Sequence, residues 1–350
     1  GYMVGQMPPT PAIGLWKDQW VAVFGNGFDS GTGATLFVAN ALTGALIDKL
    51  TVSTDTDNGL AGAALVLDGD KNIVGVYAGD LKGNLWKFDL TGDSLDLASN
   101  GAPLFVAQDA NGNRQPITAA VNFTKHPNGG NIVVFGTGQY LHSTDPASLM
   151  KQTAYGVWDN AKLQTSGWTG GSATSRSALL KQEFLYEDVI GDRKWRIVSN
   201  RSISWATQRG WYVDLISPVD GPQGERINYQ AGIIPGSGEV VFTSIVPTAS
   251  DDPCMAGTAY RWIFILDSRT GGISDWTRFD VNEDGVFDID DVKKITDPDN
   301  PDATSLVPYI GFTTDFGGSV STGGSGTDVI LLNERKLPGG PPRQSWRQLR

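Results

Sequence analysis

The chain has 350 residues, with 27 Lys and Arg against 38 Asp and Glu, a net charge of −11, 40% hydrophobic residues, 44 glycines and 11 tryptophans. So acidic a summed field repels a phosphate backbone, which excludes nucleic acid as a partner, and no apolar run approaches the ~18 residues that a membrane-spanning helix needs. A large core can be buried, but 350 residues exceed one ordinary compact domain unless the fold repeats radially.

The N-terminal end shows no initiator Met, charged n-region or apolar h-region, and reads as part of a longer polypeptide whose targeting signal lies elsewhere. Strand-like runs then follow one another: WVAVFGNG from Trp20, GATLFVANALTG from Gly33, NIVGVYAGD from Asn72, GNLWKFDLTG from Gly83 and NIVVFGTG from Asn131. Further on come GWYVDL from Gly210, GEVVFTSIV from Gly238, GTAYRWIFILDSRTG from Gly257 and DVILLNE from Asp328, each bounded by turn-forming residues. Gly25, Gly27, Gly136 and Gly138 read as strand-end glycines, because their G-x-G lacks the third glycine and the helix of a dinucleotide site. Helix is expected only at SLMKQTAYG near Ser148 and in IDDVKKI, Ile289 to Ile295; ALLKQEFLYEDVI from Ala178 is ambiguous between helix and strand. Loops are expected at 53–60, 107–116, 164–177, 217–226, 247–257 and 296–327.

An apolar phrase ending in Thr-Gly recurs at Thr43, Thr91 and Thr270, spaced 48 and 179 residues apart, close to one and four periods of a four-stranded propeller blade. One such sheet cannot bury both faces, whereas several packed radially share a continuous apolar interface. The expected fold is therefore all-β, a single β-propeller over residues 1–350 with about seven blades. Trp86, Trp158, Trp211 and Trp262 are expected to fill the layers between blades rather than to stack on a ligand.

Little catalytic chemistry is present. Cys254 is alone, which leaves no internal disulfide or thiolate cluster, and His126 and His142 cannot build a zinc site between them. No phosphate loop, H-E-x-x-H, C-x-x-C or G-x-S-x-G occurs, so the chain is not expected to be an enzyme. The pairs Asp55 and Asp57, and Asp68 and Asp70, resemble an acid/base pair in composition but lie in turns, which Asp stabilises through its own backbone.

One segment stands apart. DVNEDGVFDIDD, Asp280 to Asp291, alternates oxygen-bearing residues around a glycine, inserted in the propeller as an EF-hand-like loop. Calcium takes six to eight hard oxygens at roughly 2.3–2.6 Å, supplied from loop positions that here fall on Asp280, Asn282, Asp284, Val286 through its carbonyl, and Asp288. Gly285 falls where the sharp turn needs it, and Asp291 stands where a bidentate Glu is usual, one methylene shorter, so its role as a ligand stays open. A merely solvated acidic turn is the competing reading; magnesium is disfavoured by its demand for a small octahedral shell.

Taken together, the chain resembles the C-terminal propeller region of the PilY family of type IV pilus biogenesis and tip-adhesin proteins. The phrases that carry this are WVAVFGNG at Trp20, VYAGDLKGNLWKFDL at Val76, VVFGTGQYL at Val133, RWIFILDSRTGG at Arg261, DVNEDGVFD at Asp280 and RQSWRQL at Arg343. The resemblance implies a modified β-propeller at the bacterial cell surface, outer membrane or pilus tip, with Ca²⁺ occupancy controlling pilus extension against retraction, twitching motility and surface attachment. The partners it implies are pilins, minor pilins and the assembly machinery, with host or abiotic surfaces beyond them. The family's calcium ligands map onto the same Asp280, Asn282, Asp284, Val286 and Asp288. A lectin-like adhesin with a purely structural calcium, or a quinoprotein-like or glycosidase propeller, are the rivals.

Overall fold

The computed structural model describes residues 10–98, 101–164, 167–247, 259–273, 278–297 and 300–316, the side chains at 297, 300–304, 315 and 316 excepted. Strands dominate. Among the described residues, helix is confined to short 3-10 turns such as Asp145–Ala147, Arg176–Ala178 and Ile289–Asp291.

The first sheet is an antiparallel meander of Ala12–Trp16, Gln19–Gly25, Ala34–Asn40 and Leu46–Ser53. Its opening hairpin turns on Lys17 and Asp18, both left-handed at φ 50° and 59°, which matches the twist of the flanking strands. The second sheet repeats the plan with Ala64–Leu67, Ile73–Gly79, Asn84–Asp89 and Asp96–Leu97, and Phe105–Val106 adds to Asn84–Asp89. The third runs Asn122–Lys125, Asn131–Gly136, Thr153–Asp159 and Gly210–Asp214, with Leu180–Gln182 added in parallel. In the fourth the order is Phe184–Ile190, Arg193–Val198, Gly311–Phe316, Ala259–Asp267, Glu239–Pro247 and Gly232–Ile234. Two separate hairpins, Lys162–Gln164 with Gly167–Thr169 and Val292–Asp297 with Asn300–Pro308, complete the described strands.

Strand alternation distributes the second, third and fourth sheets each between two cores, while the first contributes to one. Val21, Val23 and Leu36 of the first sheet meet Val76, Ala78 and Phe88 of the second. On the other face of the second sheet, Tyr77 and Leu85 pack with Val133, Phe135, Tyr155 and Val157 of the third. Ile132 and Val134, one step along the same strand, point the opposite way, toward Phe242, Trp262 and Phe264 of the fourth. The expected tryptophans fill these layers: Trp86, Trp158, Trp211 and Trp262 are all buried. Strand-end glycines mark where neighbouring sheets close in, since a Cβ on Gly25 would lie 2.3 Å from the Leu60 carbonyl and one on Gly136 2.2 Å from Ile227.

The described residues build four sheets of four or more strands, the later two taking up far more chain than the period of the first two, which does not establish the expected count of about seven blades. Several other expectations are corrected. SLMKQTAYG forms no helix; its last residues enter the strand Thr153–Asp159, buried throughout, where a helix could not supply the cross-strand pairing. ALLKQEFLYEDVI resolves into the strands Leu180–Gln182 and Phe184–Ile190. IDDVKKI gives a single 3-10 turn before Val292–Asp297, the β-branched Val292 and Ile295 pairing across a hairpin. Half of the expected loop 296–327 is likewise strand, Asn300–Pro308 and Gly311–Phe316. Cys254, the run from Asp328 and the Arg343 to Arg350 end lie outside the described residues.

Candidate metal centre

The segment 280–291 leaves the third strand of the fourth sheet's meander, Ala259–Asp267, and precedes its fourth, Gly311–Phe316. Its entry is fixed by burial: Phe279 and Val281, on either side of Asp280, are 2% and 6% exposed and pack with Trp195, Ile265 and Phe312. The ring of Phe279 sits edge-on to both Trp195 and Phe312, at 5.8 and 5.6 Å. One residue earlier, buried Arg278 donates from Nε to Glu239 Oε1 at 2.9 Å.

Inside the loop, short polar side chains order the backbone. Asp280 accepts from the Asp284 amide at 3.1 Å through Oδ1 and from the Gly285 amide at 2.8 Å through Oδ2. Asn282 Oδ1 also accepts from the Asp284 amide, and its Nδ2 donates to Asp284 Oδ2 at 2.9 Å; Asp284 Oδ1 accepts from the Val286 amide at 2.7 Å. Glu283 and Gly285 are left-handed, at φ 60° and 84°, so two residues of a kind that Gly and few others adopt wind the turn. No atom crowds a Cβ at Gly285, so it is conformation and not space that calls for glycine there.

The closing limb belongs to Asp288 and Asp291. Asp288 Oδ1 caps the 3-10 turn by accepting from the Asp290 amide at 2.8 Å. Asp291 is fully buried, its Oδ1 accepting from the Val281 amide at 2.6 Å and its Oδ2 from the Asp288 amide at 3.1 Å. The shorter acid at the loop's last position thus ties the start of the loop to its end, a role that spacing alone left open. Just beyond, Lys293 Nζ reaches both oxygens of Asp188 at 2.8 Å, and Tyr309 donates its hydroxyl to Asp188 Oδ2 at 2.8 Å. Burial, then the hydrogen bond and charge of Asp188, push the Tyr309 phenol well above its ordinary range, so it stays a donor. With sequence separations of 105 and 121, this tie to the outer strand Phe184–Ile190 had no local signal.

Asp280, Asn282 and Asp284 are thus joined by hydrogen bonds, while Asp288 stands on the opposite limb and Val286 turns its side chain outward, 53% exposed. Among the described residues, no three His, Cys, Asp or Glu side chains converge closely enough to hold a metal. In kind, the donors fit calcium: hard oxygens, each carboxylate keeping lone pairs beyond its amide bonds, on a turn already wound. Gathering them around one ion requires the Asn282 Nδ2 to Asp284 Oδ2 bond to yield. The other acidic pairs are ordinary turns: Asp55 and Asp57 are paired with Lys82, and Asp68 Oδ1 accepts from the amides of Asp70 and Asn72. His126 is buried against Trp158 and His142 is exposed.

No described helix is long and apolar enough to cross a membrane. The model of the PilY1 beta-propeller domain family matches residues 1–189, more than half of the chain. A type IV pilus biogenesis factor PilY1 homolog of Xylella fastidiosa is 36% identical over 293 residues, 78% of this chain and 19% of that protein. The type IV pilus biogenesis factor PilY1 of Pseudomonas aeruginosa is 35% identical over 330 residues, 81% of this chain and 27% of that one, so the chain spans about a fifth to a quarter of these relatives. The crystal structure of the P. aeruginosa PilY1 C-terminal domain superposes with a TM-score of 0.73 at 30% identity, covering 87% of this chain and 66% of that domain. With more than half its length matched and the same architecture in a solved relative, the chain belongs to the PilY1 β-propeller domain family.

Proposed function

We propose that this region is the calcium-binding regulatory domain of a type IV pilus biogenesis protein, acting at the cell surface, outer membrane or pilus tip on pilins, minor pilins or the assembly machinery. Occupancy of the 280–291 loop would set pilus extension against retraction, and with it twitching motility and attachment. The observation that carries this reading is how the loop is tied at both ends: Phe279 and Val281 enter the core of the fourth sheet, and Lys293 reaches Asp188 on its outer strands. Bound there, Ca²⁺ supplies the positive charge that lets neighbouring carboxylates share one small volume. Without it, Asp280, Asp284 and Asp288 repel one another, and only amide bonds oppose their spreading. A ligand shifts such an equilibrium only by its differential affinity for the two arrangements. The rearrangement of Asn282 and Asp284 is the step that distinguishes them.

The test is calorimetry of Ca²⁺ binding to the purified 350-residue chain. Asp284→Ala should remove the binding heat and leave the β-sheet circular dichroism in place; an unchanged isotherm ends the ligand assignment. A second reading, a lectin-like adhesin with a purely structural calcium, draws on the same burial of Phe279 and Val281. Cells carrying Asp284→Ala separate the two: a structural ion lowers the amount of protein at the surface, whereas a regulatory one alters twitching while the amount is unchanged.

A further inference from the structure

Far from the loop, where the second and third sheets meet, Lys87 and Asp159 form a contact unlike the other lysine pairs described. Lys87 lies on Asn84–Asp89 and Asp159 ends Thr153–Asp159; both side chains are 1% exposed and Nζ stands 2.6 Å from Oδ2. Yet Nζ makes no aligned hydrogen bond, to Asp159 or to any other described acceptor. On its other side it faces the indole of Trp168, 3.6 Å from the ring centroid. The carboxyl, in contrast, is firmly held: Oδ2 accepts from the Tyr77 hydroxyl at 2.5 Å and Oδ1 from the Ala161 amide at 3.0 Å. Tyr77 is itself fixed by Asn131 Nδ2 at 3.0 Å, and Val74, Val133 and Val157 close the surroundings.

We propose that Lys87 and Asp159 join as an intramolecular amide, an isopeptide bond between the second and third sheets. A buried ammonium with no aligned acceptor is costly, and proton transfer to the adjacent carboxylate leaves a neutral amine beside a neutral acid. Burial favours that exchange, holding the Lys87 amine below its ordinary range. The Nζ lone pair then attacks Cγ of Asp159. The developing negative charge on Oδ1 is met by the Ala161 amide, and Tyr77, whose phenol burial and Asp159 keep protonated, donates toward Oδ2 as the C–O bond breaks. Nζ returns the proton to Tyr77. Ammonium and carboxylate become one amide and one water, with no oxidant or external reactant. Lys293 and Asp188 make the instructive contrast: their side chains are 28% and 25% exposed with two aligned bonds, so hydration and hydrogen bonding keep that pair ionic.

The experiment is intact mass spectrometry of the purified chain under denaturing conditions, followed by proteolytic mapping. The chain should weigh one water less than its sequence, with the loss on a branched peptide joining the segments of Lys87 and Asp159. Lys87→Arg keeps the charge, removes the nucleophile and should restore the full sequence mass. A native chain at full sequence mass overturns the proposal, even if the variant fails to fold. So does a water loss mapped instead to a succinimide at an Asp-Gly step such as Asp68–Gly69, Asp220–Gly221 or Asp284–Gly285.

Discussion

The first two sheets and the last two share one four-strand meander and differ most in one connection. Between third and fourth strands the first sheet uses residues 41–45 and the second 90–95, whereas the third uses 160–209 and the fourth 268–310. Yet Thr153–Asp159 still pairs with Gly210–Asp214, and Ala259–Asp267 with Gly311–Phe316, as if the inserts were absent. Loop-closure entropy grows only slowly with length, so a ladder defined by packing on both faces tolerates long insertions. In the fourth sheet the insert adds Phe279, Val281, Val307 and Tyr309 to the face that carries Trp195, Ile265 and Phe312. Insertion at this connection therefore extends an apolar core and carries the candidate loop 280–291.

The sharpest break in that comparison is at Arg196, because the fourth sheet is held partly by buried charge. Arg196 is fully buried between Phe184 and Trp262, bonded to Glu225 at 2.9 and 2.8 Å and to Glu187 at 2.8 Å. Arg196→Ala strands two carboxylates in a low dielectric and should cost about 3–5 kcal/mol in denaturant unfolding. Hydrogen exchange should show the loss centred on the strands 184–198 and 311–316 while the first sheet keeps its protection.

A somewhat smaller effect sharpens the comparison by pairing two equal cuts. Phe279→Ala and Phe88→Ala each remove a buried ring, at about 3 kcal/mol apiece. Both should lower the unfolding midpoint, but only Phe279→Ala, which frees the entry to the 280–291 loop, should weaken calcium binding measured by calorimetry. Equal calcium affinity in the two would show the loop to be independent of the sheet beneath it.

Legibility in the sequence follows the same division. The Thr-Gly phrases at Thr43, Thr91 and Thr270 all fall in the turn after a third strand, and 48 residues separate the first two because their sheets carry no insert. That period does not carry through the third and fourth sheets, whose inserts lengthen each unit. The turn within 280–291 is legible because its ordering is local, short polar side chains alternating around Gly285 within one turn. Asp291's grip on Val281 was half-visible from position, and Asp188's tie to Lys293 and Tyr309 was not visible at all, because strands remote in sequence create it. Ser148 to Gly156 shows the opposite failure: its helical composition is overridden at Thr153 to Gly156 by a central strand position buried on both faces.

The smallest effect concerns pH and again separates the two halves, since the chain's histidines, His126 and His142, both lie beyond the second sheet. His126 is buried against Trp158 and Trp205, ring centroids 4.3 and 4.2 Å away, with Arg209 over the far indole at 5.1 Å. Its Nδ1 accepts from the Asn128 amide at 3.1 Å, which only the neutral imidazole can do, and its Nε2 finds no acceptor among the described residues. Burial first, and the charge of Arg269 second, hold its pKa below the ordinary value of 6.5. The unfolded chain therefore takes up the proton before the folded one. Stability from this group is complete above about pH 6.5 and is lost as pH falls from there through the lowered folded value. His126→Phe keeps the aromatic packing, forgoes the Asn128 bond and should be less stable at neutral pH, yet flatter between about pH 5 and 6.5 in unfolding followed by tryptophan fluorescence. An acid limb identical in the two proteins would move the sensitivity to carboxylates, and the first two sheets would then share it.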